Sequence, residues 1–549
     1  MFRIPKSQKD LNSQLFLPLL PITPSDIDVD RMMPQLLEMC VHSGYHQKSK
    51  TKKDEYETYL GLLVESRHVV GLEPEQRREV LDGWIRASIV KIGLAGLKRD
   101  RAIMDYPRPI TIATYRAGLP KTSGRNRHAD DLVYLALIEE LRRRDSQTPA
   151  FHLAELVKAS FGDGIDVGNA TDGVPKYDGK ADIDVSALLA LRFFEVFPDQ
   201  IPASAKTKEK AIEIAVPGAV DPIGRDCIDF LQHYGPKLST VEGTSHLAGL
   251  IAIRLFELVL RTGMAVRQLY EGGGLSADFR DGHSTNPLQI YCDFTAVTSN
   301  ASSELARKCV QRDLEVLRKS LTDRLLLRSL YLAGQMHDAG FRELADRPIA
   351  ERFEFVVDEM HSSEMAVALR MQVRQIKQDL PDGPEGDEGR EFIEEMWDRL
   401  DAPDLVTQVL VEGLQKDGMT NQAKWFWSTG GLNKPYGLLA GNVRKTSWVY
   451  RLSDDLLVTL IMSCFVVDDG NRTQKVIGIA DLLIRLKEKF GILVDRPPDM
   501  FDSADARSAA SENREAFVQR LQLLGLFEGL SDDFSAQFVL RPREAVTDA

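Results

Sequence analysis

Ten histidines, five cysteines and a large stock of Asp and Glu are where chemistry would first be sought. Cys40, His42 and His46 stand close together, and the two histidines would share a face if a helix ran through them. A zinc site takes three or four ligands. No C-x-x-C half accompanies these three, and Gly44 works against the helix. His337-Asp338 is an adjacent pair of the kind that HD-type metal-dependent phosphohydrolases combine with a further His and a distant Asp. His283, the histidine before it, lies in a Gly/Asn/Pro loop and offers no matching helix, so a surface pair at a helix end is the better reading. Ser49 and Lys52 match S-x-x-K but lack the S-D-N and K-T-G partners. Neither G-x-S-x-G nor H-E-x-x-H occurs.

Two loops invite a ligand and fail on spacing. A strand-like run, 109–115, leads through a Gly- and Lys-containing loop, 118–127, into a helical pattern over 130–144. A phosphate loop needs its Lys directly after the second Gly, so that the ammonium reaches the phosphates. Here Lys121 precedes Gly124 and Arg125 follows it. Residues 162–184 are rich in Asp and Gly, but a calcium loop needs oxygen ligands at alternate positions. From Asp166 the next alternates are Gly168 and Ala170. The sequence thus predicts no catalytic residue, no metal and no cofactor.

Nucleic-acid contact is the remaining chemistry. Arg472, Lys475, Arg485, Lys487 and Lys489 lie on or beside one C-terminal helical pattern, and Arg514 and Arg520 on the next. Phosphate binding needs a net basic face. Residues 471–549 hold eleven bases and thirteen acids, and the whole chain carries -13. The basic loop Lys48, Lys50, Lys52, Lys53 reads as a solvated loop, with phosphate contact as the alternative. Trp425, Trp427 and Trp448 flank Gly430, Gly431 and Gly437. They could stack bases, but aromatics near a domain joint more often build core.

The elements that must position these residues are clearest at the C-terminus. Ser453-Asp454-Asp455 is a helix start, followed by an apolar face at Leu456, Leu457, Leu460, Ile461 and Cys464. A second helix is predicted over 473–490 with Gly491 closing it, then a short strand at 492–494. A third helix over 511–524 and a hairpin over 526–540 complete the order of a winged helix. From 219 to 380 the pattern is almost wholly helical. Two shorter helices are predicted at 390–400 and 403–416. The fold class expected is mainly α: a multi-helical body, a small α/β N-terminal part and a C-terminal winged-helix-like domain. At 549 residues the chain should hold two to four domains. The expected division is 1–210, mixed and mostly helical; 219–380, helical; 381–389, an acidic Pro/Gly linker; and 390–549, the Trp-rich segment with the winged-helix-like domain.

Five scattered cysteines make no disulfide framework and fit a reducing cytosol. The N-terminus lacks a signal-peptide core, and the most apolar helix, 246–260, contains Arg254 and Glu257, so no membrane span is expected.

A helical body, the segment Lys424-Trp-Phe-Trp-Ser-Thr-Gly-Gly-Leu432 and a terminal winged helix together resemble a component of bacterial multi-gene antiphage systems, the methylation-associated defence system. The resemblance implies a cytoplasmic subunit working beside a DNA methyltransferase with its specificity subunit, a protein kinase and an ATPase. It assigns no role to any residue. The leading expectation is a non-enzymatic subunit of an antiviral defence assembly that docks protein partners, with DNA as a further candidate partner. The alternatives are a winged-helix DNA-binding regulator or sensor, and a hydrolase whose site is assembled from distant residues.

Overall fold

The computed structural model describes residues 2–46, 60–61, 64–65, 71–88, 90–94, 103–107, 126–162, 165–166, 176–180, 205–206, 213–442, 447–467, 470–529 and 537–543. Within these the chain is mainly helical. The strand expected at 109–115, the loop at 118–125, the basic loop and most of the Asp-rich stretch lie outside the described residues.

The body is built from α1 (Val29–Val41), α2 (Ala129–Arg143), α3 (Pro217–His233), α4 (Thr240–Tyr270), α5 (Ala301–His337), α6 (Ser363–Asp379), α7 (Pro384–Trp397) and α8 (Ala402–Thr429). Helix α4 is the centre. Its residues are buried nearly all round, from Gly243 to Leu269, which is how a helix hydrophobic on every side must sit. It starts on an N-cap: the Ser239 hydroxyl accepts from the Glu242 N–H at 3.3 Å. It packs on α3, α5 and α8. Helix α5 begins at Asn300, whose side chain accepts from Ser303 N–H at 2.9 Å. It buries Val310, Leu317 and Leu321 from the seam read in the sequence. The N-terminal stretch packs on this body through Phe2, Leu11, Leu19, Leu20 and Ile22.

The C-terminal part contains β2 (Leu439–Ala440), β3 (Val449–Tyr450), α9 (Asp454–Cys464), β4 (Val476–Gly478), α10 (Ile479–Phe490), β5 (Ile492–Leu493), α11 (Ala504–Leu523), β6 (Phe527–Gly529) and β7 (Gln537–Leu540). The sheet runs β4–β7–β6, both pairs antiparallel. Strand β5 leaves this unit and pairs in parallel with β1 (Ile290–Tyr291) of the body. One buried apolar cluster extends from Phe2 to Val539.

Three local expectations change. Residues 384–389, read as linker, are the first turns of α7. Pro384 opens that helix and Glu385 and Asp387 occupy its first turn, both favourable at a helix start. Gly386 and Gly389 are buried there. Helix α8 runs on to Thr429, so the Trp-rich segment is its last two turns rather than a separate element. Val476 and Ile477, assigned to a helix, form β4, since the β-branched pair is claimed by β7.

Candidate functional site

The seven cations of the C-terminal part do not form one face. Arg485 donates to the carbonyl of Cys464 at 2.7 Å. Lys489 donates to the carbonyl of Ser463 at 2.8 Å and to its hydroxyl at 3.0 Å. Both therefore cap the C-terminal end of α9, where the free carbonyls and the helix dipole favour positive charge. Arg520 grips Asp454 with two bonds of 2.6 Å at the other end of α9, about 15 Å away for a helix of this length. Arg472 and Lys475 are exposed beside β4, and Arg514 is half-buried on α11. The Lys487 side chain is half-exposed and makes no hydrogen bond or ion pair among the described residues.

Lys489 also belongs to a buried network that joins this part to the body. Its ammonium lies 3.4 Å from Asp226. Arg254, 2% exposed, donates to Asp226 through Nε at 2.8 Å, to Glu257 at 2.6 Å and to the carbonyl of Lys489 at 2.7 Å. Its guanidinium stacks 4.3 Å from the centre of the Phe490 ring. The Asn286 amide donates to the same Lys489 carbonyl at 3.2 Å. Burial alone would raise both carboxylates. For Asp226 the charges of Arg254, Lys489 and Arg225 outweigh it, and its pKa falls to about 2. For Glu257 burial wins over Arg254 and Arg261, and its pKa rises to about 7. One Glu257 oxygen has no hydrogen-bond partner, consistent with a group that takes up a proton easily.

A second seam is neutral. Asn513 on α11 is 0% exposed. Its amide donates to the carbonyls of Cys292 at 2.9 Å and Val494 at 3.0 Å, and its carbonyl accepts from Phe294 N–H at 2.7 Å. Every polar atom of the side chain is used. Phe517 packs edge-on to Phe294 with centroids 4.8 Å apart. The sequence held a signal for this residue: Ala509, Asn513, Phe517 and Leu521 recur every four positions, a polar side chain set into an apolar stripe. The outward face of α11 bears Asp505, Glu512 and Glu515, and its Arg507 is bound to Asp502 at 2.7 Å.

The other candidates resolve into structural roles. Trp425 is 1% exposed and donates to the Leu255 carbonyl at 3.1 Å. Trp448 is buried and stacks on Phe426; Trp427 is half-buried against the core. Asp338 accepts from Gly340 N–H at 2.7 Å as the N-cap of the helix Ala339–Glu343, while His337 is exposed. Helix α1 ends at Val41, so His42 and His46 share no helix face; Ser43 and Gly44 both adopt positive φ there. Among the described residues no group of three or more His, Cys, Asp or Glu is placed to hold a metal. All five cysteines are free and buried. No helix of the described residues is long and apolar enough to cross a membrane.

The sequence profile of methylation-associated defense system protein MAD7 matches residues 15–543, nearly the whole chain. The chain belongs to the MAD7 family. No curated protein matches it. Membership of the MAD7 family makes the protein a defence-system component. The match takes in both the helical body and the C-terminal part, so the seams described above lie wholly within MAD7-family sequence.

Proposed function

We propose that this MAD7-family protein is a non-enzymatic subunit of a bacterial antiviral defence assembly, docking other subunits of its system in the cytoplasm. Methyltransferase, kinase or ATPase subunits are the partners in view. The C-terminal part is read as winged-helix-like: three helices and a sheet in the order β4–β7–β6 support that reading. A winged helix that reads DNA presents its third helix to the major groove. The observation that carries the docking reading is the outward face of α11. Its acids Asp505, Glu512 and Glu515 would meet phosphates, while Arg520, Arg485 and Lys489 are already engaged inside the chain.

The test uses the full-length chain expressed with the other genes of its operon. Co-purification of identified defence-system subunits, with weak binding of labelled duplex by the isolated protein, is the expected result. Duplex binding is measured at two salt concentrations, with and without Lys487→Glu plus Arg514→Glu. Tight, salt-sensitive binding lost in that pair would overturn the docking reading in favour of a DNA-binding regulator. Each phosphate contact removed should lower the salt slope by about 1.

A further inference from the structure

Helix α5 carries two inward guanidiniums one turn apart, Arg324 and Arg328. Arg324 is 5% exposed. Its Nε donates to the Ser320 carbonyl of its own helix at 3.1 Å, and its Nη2 has no partner. Among the described residues no carboxylate lies within ion-pair distance of it. Burial pushes its pKa down to about 10, and no acid offsets that push. The other buried arginines of this body are built differently: Arg254 has Asp226 and Glu257, and Arg261 has Asp278.

The surroundings repeat the deficit. Arg328 donates through Nη1 to the carbonyls of Ser13 and Leu15, at 3.1 and 2.6 Å, but its Nε is buried without a partner. The hydroxyl of Ser320, one turn before Arg324, is likewise buried and unpartnered. So are the Ser329 hydroxyl and the carbonyl oxygen of Gln372, whose amide nitrogen donates to the Ser329 backbone at 3.0 Å. Ser320, Arg324 and Arg328 stand four residues apart on one helix face, each with a donor unused.

A water could satisfy these donors but could not balance the Arg324 guanidinium, and an arginine does not shed its proton; Arg328 has the charge of Asp10 nearby. What Arg324 lacks is a negative charge with several acceptor oxygens. Its burial excludes a macromolecular surface and admits only a small ion or molecule. We propose that Arg324 and Arg328 form a binding site for a small oxyanion, a phosphate or carboxylate group seated beneath the N-terminal stretch that Arg328 ties down. Planar guanidinium forks match both groups.

The experiment melts the full-length protein, dialysed free of phosphate and sulfate, in series of sodium phosphate, sodium acetate and sodium chloride at equal ionic strength. Phosphate or acetate should raise Tm by about 2 °C and saturate, chloride should not, and the comparison of the two active salts identifies the group. Arg324→Met should lose the response. In anion-free buffer it should melt no lower than the natural chain, because an uncompensated charge has been replaced by an apolar chain of similar length. Indifference of the natural chain to both salts would overturn the site, as would an undiminished response in Arg324→Met. If Arg324→Met does not fold, Arg328→Gln serves: a weaker response supports the site, and an unchanged one overturns it.

Discussion

The Arg254 side chain donates to the backbone carbonyl of Lys489 at 2.7 Å, so a residue of the central body helix closes the last turn of α10. The same guanidinium holds Asp226 and Glu257 in the interior. Removing it should be severe, because two buried acids lose their counter-charge together. Arg254→Ala is expected to cost about 3–5 kcal/mol, read as a shift in the urea midpoint. A loss below 1 kcal/mol would mean that Lys489 suffices for Asp226 and Arg261 for Glu257.

Glu257 should leave a mark on the pH dependence of stability. Its carboxyl titrates at about 7 in the folded chain against an ordinary 4.5, so the folded state holds the proton more tightly. The resulting stability is fully present below about 4.5 and is lost as pH rises through about 7. Asp226 works in the opposite sense. With a folded value of about 2, its contribution is present above 3.8 and lost as pH falls towards 2. Glu257→Gln should therefore flatten the slope of unfolding free energy between about pH 4.5 and 7. An unchanged slope there would assign the dependence to another group.

Trp425 is the aromatic on which the end of α8 depends. Trp425→Ala should destabilise by about 3–5 kcal/mol through the cavity it leaves. Trp425→Phe should cost less, losing about 1 kcal/mol for the indole hydrogen bond to the Leu255 carbonyl, which keeps its partner within the helix. Trp427, half-buried, should tolerate Ala better than Trp425 does. Thermal melts of the three variants give the order, and equal losses at 425 and 427 would contradict it.

Limited proteolysis probes the turn before α7. Gly383 has φ +113° with open space around it, and 380–383 is the short connection between α6 and α7. A cut here should yield two fragments that elute together from a native sizing column. Arg390 bonds the Leu380 carbonyl at 3.1 Å, Lys377 bonds Glu394 at 2.7 Å, and Phe2 meets Phe392 at 5.9 Å across the cut. Separation without denaturant would show that these contacts are too weak to hold it.

What could be read from the sequence was local. Ser453 caps α9 and accepts from Leu456 N–H at 3.3 Å, and Gly491 closes α10 at φ +64°, both from signals within a few residues. At Pro384 two local signals competed. Gly and acid content suggested a linker, while Pro at a helix start with acids in the first turn suggested α7, and packing against Phe2 favours the second. The basic character of Arg485, Lys489 and Arg520 was visible, but their targets were not. Cys464, Ser463 and Asp454 are reached only when α9, α10 and α11 come together. The β1–β5 pairing is less visible still, since two-residue strands carry no periodicity and their partners are far apart in sequence.

That pairing also sets an order on synthesis. Ile290, Tyr291 and Cys292 are wholly buried, yet the carbonyls that receive the N–H groups of Ile290 and Cys292 belong to Gly491 and Leu493. A ribosome adds about two hundred residues between the two strands, roughly ten to forty seconds at ordinary elongation rates. Until then the nascent body carries an unpaired strand edge, the kind that recruits other chains. A product cut short before Ile492 keeps that edge for good. Only a chain translated past Leu493 can close that edge, so products cut short before it are exposed to aggregation or degradation.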